Sequence, residues 1–165
     1  LAGIERALER GVRLLQLRAR HAGPARLREL ATAVQRLAQA HGARVLINGE
    51  PGLAIELGLD GVHLPASALT PVRPVPPGML CGASCHDARE LAAALVAGVD
   101  YVVLGPVAET ASHPGAAPLG WQAAAALIED YPLPVYLIGG LGPGDLPAAR
   151  AAGAYGVAAI RAYLA

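Results

Sequence analysis

Apolar residues recur along this chain in two alternating modes. Stretches with apolar positions at helical spacing give way to short runs of Val, Ile, Leu and Ala, and a glycine stands at most of the junctions. The junctions read ERGVRLLQL at Gly11, AHGARVLIN at Gly42, ELGLDGVHL at Gly58, VAGVDYVVL at Gly98 and AAGAYGVAAI at Gly153. Glycine suits such a place because the residue closing a helix often needs positive φ, which costs glycine no Cβ clash. Five such junctions predict repeated helix-then-strand units. Strands are predicted at 12–19, 44–48, 61–64, 80–85, 101–105, 135–139 and 156–160. A helix is predicted from Leu1 to Arg10. Another runs from Pro24 to His41, with Leu27, Leu30, Val34 and Leu37 on one face. A third, 87–97, starts with Asp87 and Glu90 in capping-box spacing. The four prolines between Pro71 and Pro77 predict a loop in place of a full helix.

Strands alternating with helices make an α/β protein with a parallel sheet. Seven strands are readable, and the chain opens directly on a helix, so a first strand upstream of Leu1 would complete a (β/α)8 barrel. A 165-residue chain is short for such a barrel. The expectation is a single barrel domain, 1–165, forming the C-terminal part of a longer polypeptide. A doubly wound open sheet is the alternative architecture.

Composition narrows the packing. Apolar residues are 54% of the chain, with no Phe and one Trp, so the core must be built from Ala, Leu, Val and Ile. Thirteen basic and thirteen acidic residues cancel, giving no overall field to attract nucleic acid or an anionic membrane. Neither is expected as a partner. Cys81 and Cys85 lie four apart on one predicted strand, about 13 Å from each other, too far to bridge. Without a signal peptide or a membrane-length apolar run, a cytoplasmic location is the default.

The alternation within strands locates the chemistry. In barrels of this class, catalytic groups gather at the C-terminal ends of the strands. Leu14, Gln16, Arg18 and Arg20 share one parity, and Leu15, Leu17 and Ala19 the other, so the polar set faces the lumen or the mouth. The same reading places Asn48, His63, Ser84 with His86, Gly105 and Gly139 toward strand ends. Asp60 and Asp100 precede their strands and fall at the opposite, stabilising face. Convergent Arg, His, Asn and Ser describe an anion pocket. Gly139 and Gly140, after a strand and before a helix near Gly144 or Asp145, suit a phosphate. The segment from Pro106 to Leu119, with Thr110, Ser112 and His113, is the longest polar loop and a candidate binding element. Plain alternatives stand beside each reading: a solvated strand end for Arg18 and Arg20, a hydrogen-bonded core histidine for His63, turn residues for Asn48 and Ser84.

These residues carry a resemblance to the thiamine phosphate synthase and TenI family. Gln16-Leu17-Arg18-Ala19-Arg20 resembles its QLRxK strand, Asn48 the start of its N-D motif, and Asp60 to Leu64 its DGVHL. Gly82 to His86 resembles GxSxH, Gly105-Pro106-Val107 with Thr110 and Ser112 resembles GPxxxTxTK, and Ile138 to Leu141 resembles the phosphate-binding IGG turn. The resemblance implies a barrel acting in thiamine biosynthesis or salvage, on a thiazole or thiamine-related phosphate. Gln16, Arg18 and Arg20 would meet a diphosphate, with Asn48, His63 and Ser84 beside the pyrimidine. Thr110, Ser112, His113, Gly139, Gly140, Ile160 and Arg161 would surround the phosphate. The family's magnesium cofactor is in question, because its two aspartate positions are Gly49 and Ala68, and Glu50 is one residue out of phase. No metal ligand is therefore expected. The lost metal site points toward TenI, a tautomerase, yet the histidine that TenI carries after the sixth strand's glycine is Pro106. His63, His86 and His113 are the candidate catalytic residues in its place. The segment Thr110 to Trp121 most resembles synthase-like domains fused behind a Nudix hydrolase. A degenerate transferase or an isomerase is thus set against a non-catalytic domain sensing a phosphorylated ligand for an attached Nudix partner. A homo-oligomer is left open.

Overall fold

A computed structural model describes residues 1–110, 115 and 117–164. Seven strands form one parallel sheet in strictly sequential order: β1 (Leu14–Leu17), β2 (Arg44–Asn48), β3 (Gly61–Leu64), β4 (Leu80–Cys85), β5 (Tyr101–Leu104), β6 (Val135–Leu137) and β7 (Gly156–Val157). Seven helices accompany them: α1 (Ala2–Glu9), α2 (Pro24–Ala40), α3 (Pro51–Leu57), α4 (Ala88–Val96), α5 (Gly120–Ile128), α6 (Leu146–Ala151) and α7 (Arg161–Leu164). A doubly wound sheet would reverse its strand order partway, and this one never does, which excludes the open-sheet alternative.

The sheet curls on itself. Leu14 of β1 and Ala158, just past β7, pack into one interior cluster with Leu46, Tyr101 and Val103. Among the described residues β7 does not pair with β1, so one strand position of a (β/α)8-type barrel stays open between them. The helical layer meets across that seam. α1 packs on α7, and the Arg6 guanidinium donates to the Leu164 carbonyl at 2.9 Å.

Strand parity decides what lies on each side. Leu15, Leu17, Val45, Ile47, Val62, Leu64, Cys81, Ala83, Val102, Leu104 and Leu137 all pack outward against helices. Leu14, Leu46, Leu80, Tyr101, Val103 and Tyr136 fill the lumen. Both cysteines are buried and unpaired, and burial pushes their thiols up to about 11 for Cys81 and about 12 for Cys85. They are inert at neutral pH.

All five junction glycines take positive φ, from +60° at Gly58 to +96° at Gly11. Three strands match their predicted bounds. The first is shorter than 12–19, the fifth and sixth stop at Leu104 and Leu137, and the last ends at Val157 rather than residue 160. In each case the chain leaves the ladder where a binding loop begins. No α-helix fills the proline-rich stretch after β3, only a 3-10 turn at Ala66–Ala68. On α2 the buried residues are Ala31, Val34 and Ala38, while Leu27 and Leu37 are half-buried, because close helix–sheet packing favours the small side chains. At α4 Asp87 accepts the Glu90 amide at 2.8 Å as predicted, but Glu90 turns to the His86 amide instead of completing the box.

Asp60 and Asp100 lie at the N-terminal ends of the strands, as the sequence implies, and they act there as staples. The Asp60 carboxylate accepts the Val45 amide at 2.8 Å, its own amide donates to the Val45 carbonyl, and its carbonyl accepts the Leu80 amide. One residue thus joins β2, β3 and β4. Asp100 does the same for β4 and β5 through Cys81, and also holds the Arg73 guanidinium at 2.7 Å. Arg73 in turn donates to the carbonyls of Gly98 and Met79, tying the proline-rich loop to the sheet. Asp100→Ala should leave the Cys81 amide and the Arg73 cation without their acceptor, costing about 2 kcal/mol. Urea denaturation measures it; a loss below about 0.5 kcal/mol, the level of an ordinary surface change, would show the staple to be ornamental.

Candidate functional site

The polar residues of lumen parity converge at the C-terminal ends of the strands. Gln16 ends the inward row of β1, and its side-chain oxygen accepts from the Asn48 amide group at 2.9 Å, across the β1–β2 pair. Arg18 and Arg20 follow β1 in exposed positions. Burial first, and the charge of Arg20 second, lower the pKa of the Arg18 guanidinium. Two cations held this close favour an anion between them.

Deeper in the lumen, His63 of β3 is fully buried. Its Nδ1 lies 3.1 Å from the Tyr101 hydroxyl and its Nε2 lies 2.9 Å from the Ser84 hydroxyl. Burial, with the neighbouring Arg18 charge adding to it, pulls the imidazole down to about 4, so it is neutral at physiological pH. Ser84 is half-buried and carries this chain of hydrogen bonds up toward the mouth. Tyr101 fits because its neighbour across the β4–β5 pair is Gly82. A Cβ there would stand 2.2 Å from the Tyr101 ring.

On the far side of the mouth, the β5 and β6 ends are joined beyond their ladders. The Val107 amide donates to the Ile138 carbonyl at 2.8 Å, and the Ala108 amide to the Gly139 carbonyl at 3.0 Å. Gly139 and Gly140 take φ of +103° and +69° and lie against this segment. A Cβ on Gly139 would come within 2.5 Å of Pro106, and one on Gly140 within 2.6 Å of the Glu109 carbonyl oxygen. Only glycine fits both. Neither of their amides donates a hydrogen bond among the described residues, which leaves them available to an anion. A 3-10 turn at Pro143–Asp145, closed by the Asp145 carboxylate on the Gly142 amide, leads from this turn into α6.

The remaining candidates divide. His86 is exposed just after β4 and pairs through Nδ1 with Glu90 at 2.8 Å. Thr110 ends the described part of the long loop and has a partner of its own. Ser112 and His113 lie outside the described residues. Ile160 and Arg161 are exposed at the start of α7. The reading of His63 as a substrate contact or proton carrier needs correction: both ring nitrogens are engaged and no ring atom is exposed, so its reach toward a ligand goes through Ser84. Sequence reasoning missed Tyr101. The parity rule that flagged Gly105 on the same strand also marks Tyr101 as inward, and that was the available signal.

The magnesium positions were tested on the fold itself. Gly49 follows β2 with φ of +74°, and Ala68 lies in the 3-10 turn after β3. Glu50 precedes α3 and caps it only through its backbone carbonyl. Among the described residues no group of three His, Cys, Asp or Glu side chains could hold a metal ion. The residues present do not fit the family's cation. A cleft at the other end of the barrel, lined by Arg44, Asp60 and Leu80, has its carboxylate already engaged by the sheet.

Comparison with known proteins agrees with this geometry. Residues 1–163 match the profile of a family described as thiamine monophosphate synthase. The chain is 38% identical to the thiamine-phosphate synthase of Thermus thermophilus, over 97% of this chain and 79% of that protein. It is 41% identical to a Symbiobacterium thermophilum protein named thiamine biosynthesis bifunctional protein ThiM/ThiE, covering 98% of this chain and 34% of that longer protein. Among solved structures, a thiamine phosphate pyrophosphorylase from Pyrococcus furiosus superposes with a TM-score of 0.83 at 24% identity, over 96% of this chain and 77% of that one. No helix among the described residues is long and apolar enough to cross a membrane.

Proposed function

This chain belongs to the thiamine monophosphate synthase family, and from that premise we propose that its strand-end mouth binds a thiazole phosphate or thiamine-related phosphate without a magnesium site of the family's kind. The observation that carries the reading is the division of the mouth into two unequal halves. The phosphate half keeps its shape, with Gly139 and Gly140 wedged against Pro106 and Glu109. The metal half has Gly49 and Ala68 where carboxylates belong. Phosphate would sit on the Gly139 and Gly140 amides, with Thr110, Ser112, His113, Ile160 and Arg161 around it. Gln16, Arg18, Arg20, Asn48 and Ser84 would surround the other end of the ligand, where two arginines supply positive charge without a cation.

Chemistry in such a site has limited means. Loss of pyrophosphate needs its developing charge neutralised, and here Arg18 and Arg20 would have to do so alone. Tautomerisation needs a proton carrier. His63 has no free nitrogen and His86 is paired with Glu90, so His113 would be the remaining candidate. Two unpaired thiols suit a reducing cytoplasm. The attached-Nudix sensing reading has no structural observation in its favour.

Calorimetric titration with thiazole phosphate, thiamine phosphate and the aminopyrimidine diphosphate, each with and without magnesium, tests the proposal. Magnesium-independent binding of at least one is expected. Magnesium-dependent formation of thiamine phosphate would overturn the metal-free reading, and failure to bind any of the three would overturn the ligand class. Arg18→Ala should weaken the bound ligand about tenfold through loss of one charge-assisted contact. An unchanged Kd would remove Arg18 from the site.

A further inference from the structure

The polar chain in the lumen has a direction that its protons dictate. His63 is neutral and therefore carries one ring proton, shared between two ring nitrogens that each have a hydroxyl partner. Burial holds the Tyr101 phenol well above its ordinary pKa, so it keeps its proton, and among the described residues its hydroxyl has no hydrogen-bond partner besides His63. Two arrangements satisfy the distances. If Nδ1 carried the proton, it would donate to the Tyr101 oxygen, and the buried Tyr101 proton would have no acceptor. If Nε2 carries it, Tyr101 donates to Nδ1, Nε2 donates to Ser84, and every buried donor is satisfied. The unspent proton is then the one on Ser84, which is the half-exposed member of the chain.

We infer that Tyr101, His63 and Ser84 form a one-way hydrogen-bond relay, Tyr101 Oη–H to His63 Nδ1 and His63 Nε2–H to Ser84 Oγ, that fixes Ser84 as a donor to an acceptor atom of the ligand. Tyr101 and His63 are positioning residues in this relay. The relay excludes from this point of the mouth any ligand atom that must itself donate, and it selects ligands presenting a phosphate oxygen or an unprotonated ring nitrogen there. The sheet is built to hold this line: Gly82 clears the space for the Tyr101 ring, and Tyr136 packs edge-on against it at 5.7 Å between ring centres. Arg18, whose charge reaches His63, disfavours a second proton on the imidazole.

The inference rests on the proposed ligand-binding role only for its second test. The first is made on the free protein: nitrogen-15 NMR of the imidazole should show His63 protonated at Nε2 and bare at Nδ1, and protonation at Nδ1 would overturn the relay. In Tyr101→Phe, judged folded by its thermal melt, the ring should shift toward the Nδ1-protonated form, because nothing then donates to Nδ1 and Ser84 can donate back to Nε2. A role of Tyr101 limited to packing would leave the ring as in the wild type. The second test is binding of thiamine phosphate and of inorganic pyrophosphate. Ser84→Ala and Tyr101→Phe should each lose about tenfold in affinity, the worth of one directed hydrogen bond. Loss for both probes assigns the acceptor to phosphate; loss for thiamine phosphate alone assigns it to the organic part. Unchanged affinity for both in either variant overturns the donor assignment. Absence of thiamine phosphate binding in the wild type would instead sink the proposed function, while the tautomer measurement still judges the relay.

Discussion

Replacing Gly61 by Ala should destabilise the fold by about 3 kcal/mol, the upper range for overpacking a tight interior. A Cβ at Gly61 would lie 2.0 Å from the Leu80 carbonyl oxygen and 2.7 Å from its carbon. Those atoms belong to the backbone of the adjacent strand, and no rotamer change moves them aside. The same carbonyl region is where Asp60 bridges β2, β3 and β4, so separating β3 from β4 would also loosen the staple. Gly52→Ala provides the contrast. Gly52 lies within α3 with nothing near its Cβ position, so alanine there should stabilise by about 0.5 kcal/mol through helix propensity. Chemical denaturation of both variants reads the difference, and a Gly61→Ala variant within 1 kcal/mol of wild type, roughly the cost of an average substitution, would mean that the strands separate freely.

Acid should unfold this protein partly through His63. The imidazole titrates near 6.5 in an unfolded chain and is pulled down to about 4 in the fold. Its contribution is fully present above pH 6.5 and is lost as pH falls toward 4, because only the unfolded chain takes up the proton in that window. At about 1.4 kcal/mol per pH unit, the loss amounts to about 3 kcal/mol. His63→Gln, with no group to protonate there, should show a shallower fall in stability from pH 7 to pH 4. Equal slopes for the two proteins would show that His63 does not carry the acid sensitivity.

Much of this was legible in the sequence, for identifiable reasons. The junction glycines marked every helix-to-strand turn they were assigned to, because positive φ is a backbone demand that few residues meet. Parity placed Gln16 and Asn48 on one face, and the fold joins them by a hydrogen bond. The β2, β3 and β4 bounds match because each strand is flanked by a glycine, a proline or an aspartate that ends the pattern sharply. The bounds of β1, β6 and β7 do not, since apolar residues such as Ala19, Ile138 and Ile160 continue the pattern after the ladder has ended. Burial of His63 was illegible for a different reason. Which polar side chain sits beneath and which above depends on register between strands, and register is absent from a single strand's alternation. Only the pairing of Gly82 with Tyr101 reveals that a tyrosine reaches under Ser84 to meet the imidazole.

The aspartate staples give the molecule two ends with different freedoms. Order and spacing of β2 to β5 are set at the strand starts, by carboxylates that bond backbone amides and never approach the mouth. The mouth side chains at Gly49 and Ala68 contribute nothing to that stitching, so carboxylates can be absent from those two positions with the barrel still assembled around them. A catalytic rim of this kind is interchangeable tooling on a fixed chassis: substitutions there trade one chemistry for another at little thermodynamic consequence, whereas the same number of substitutions at the opposite end would dismantle the machine.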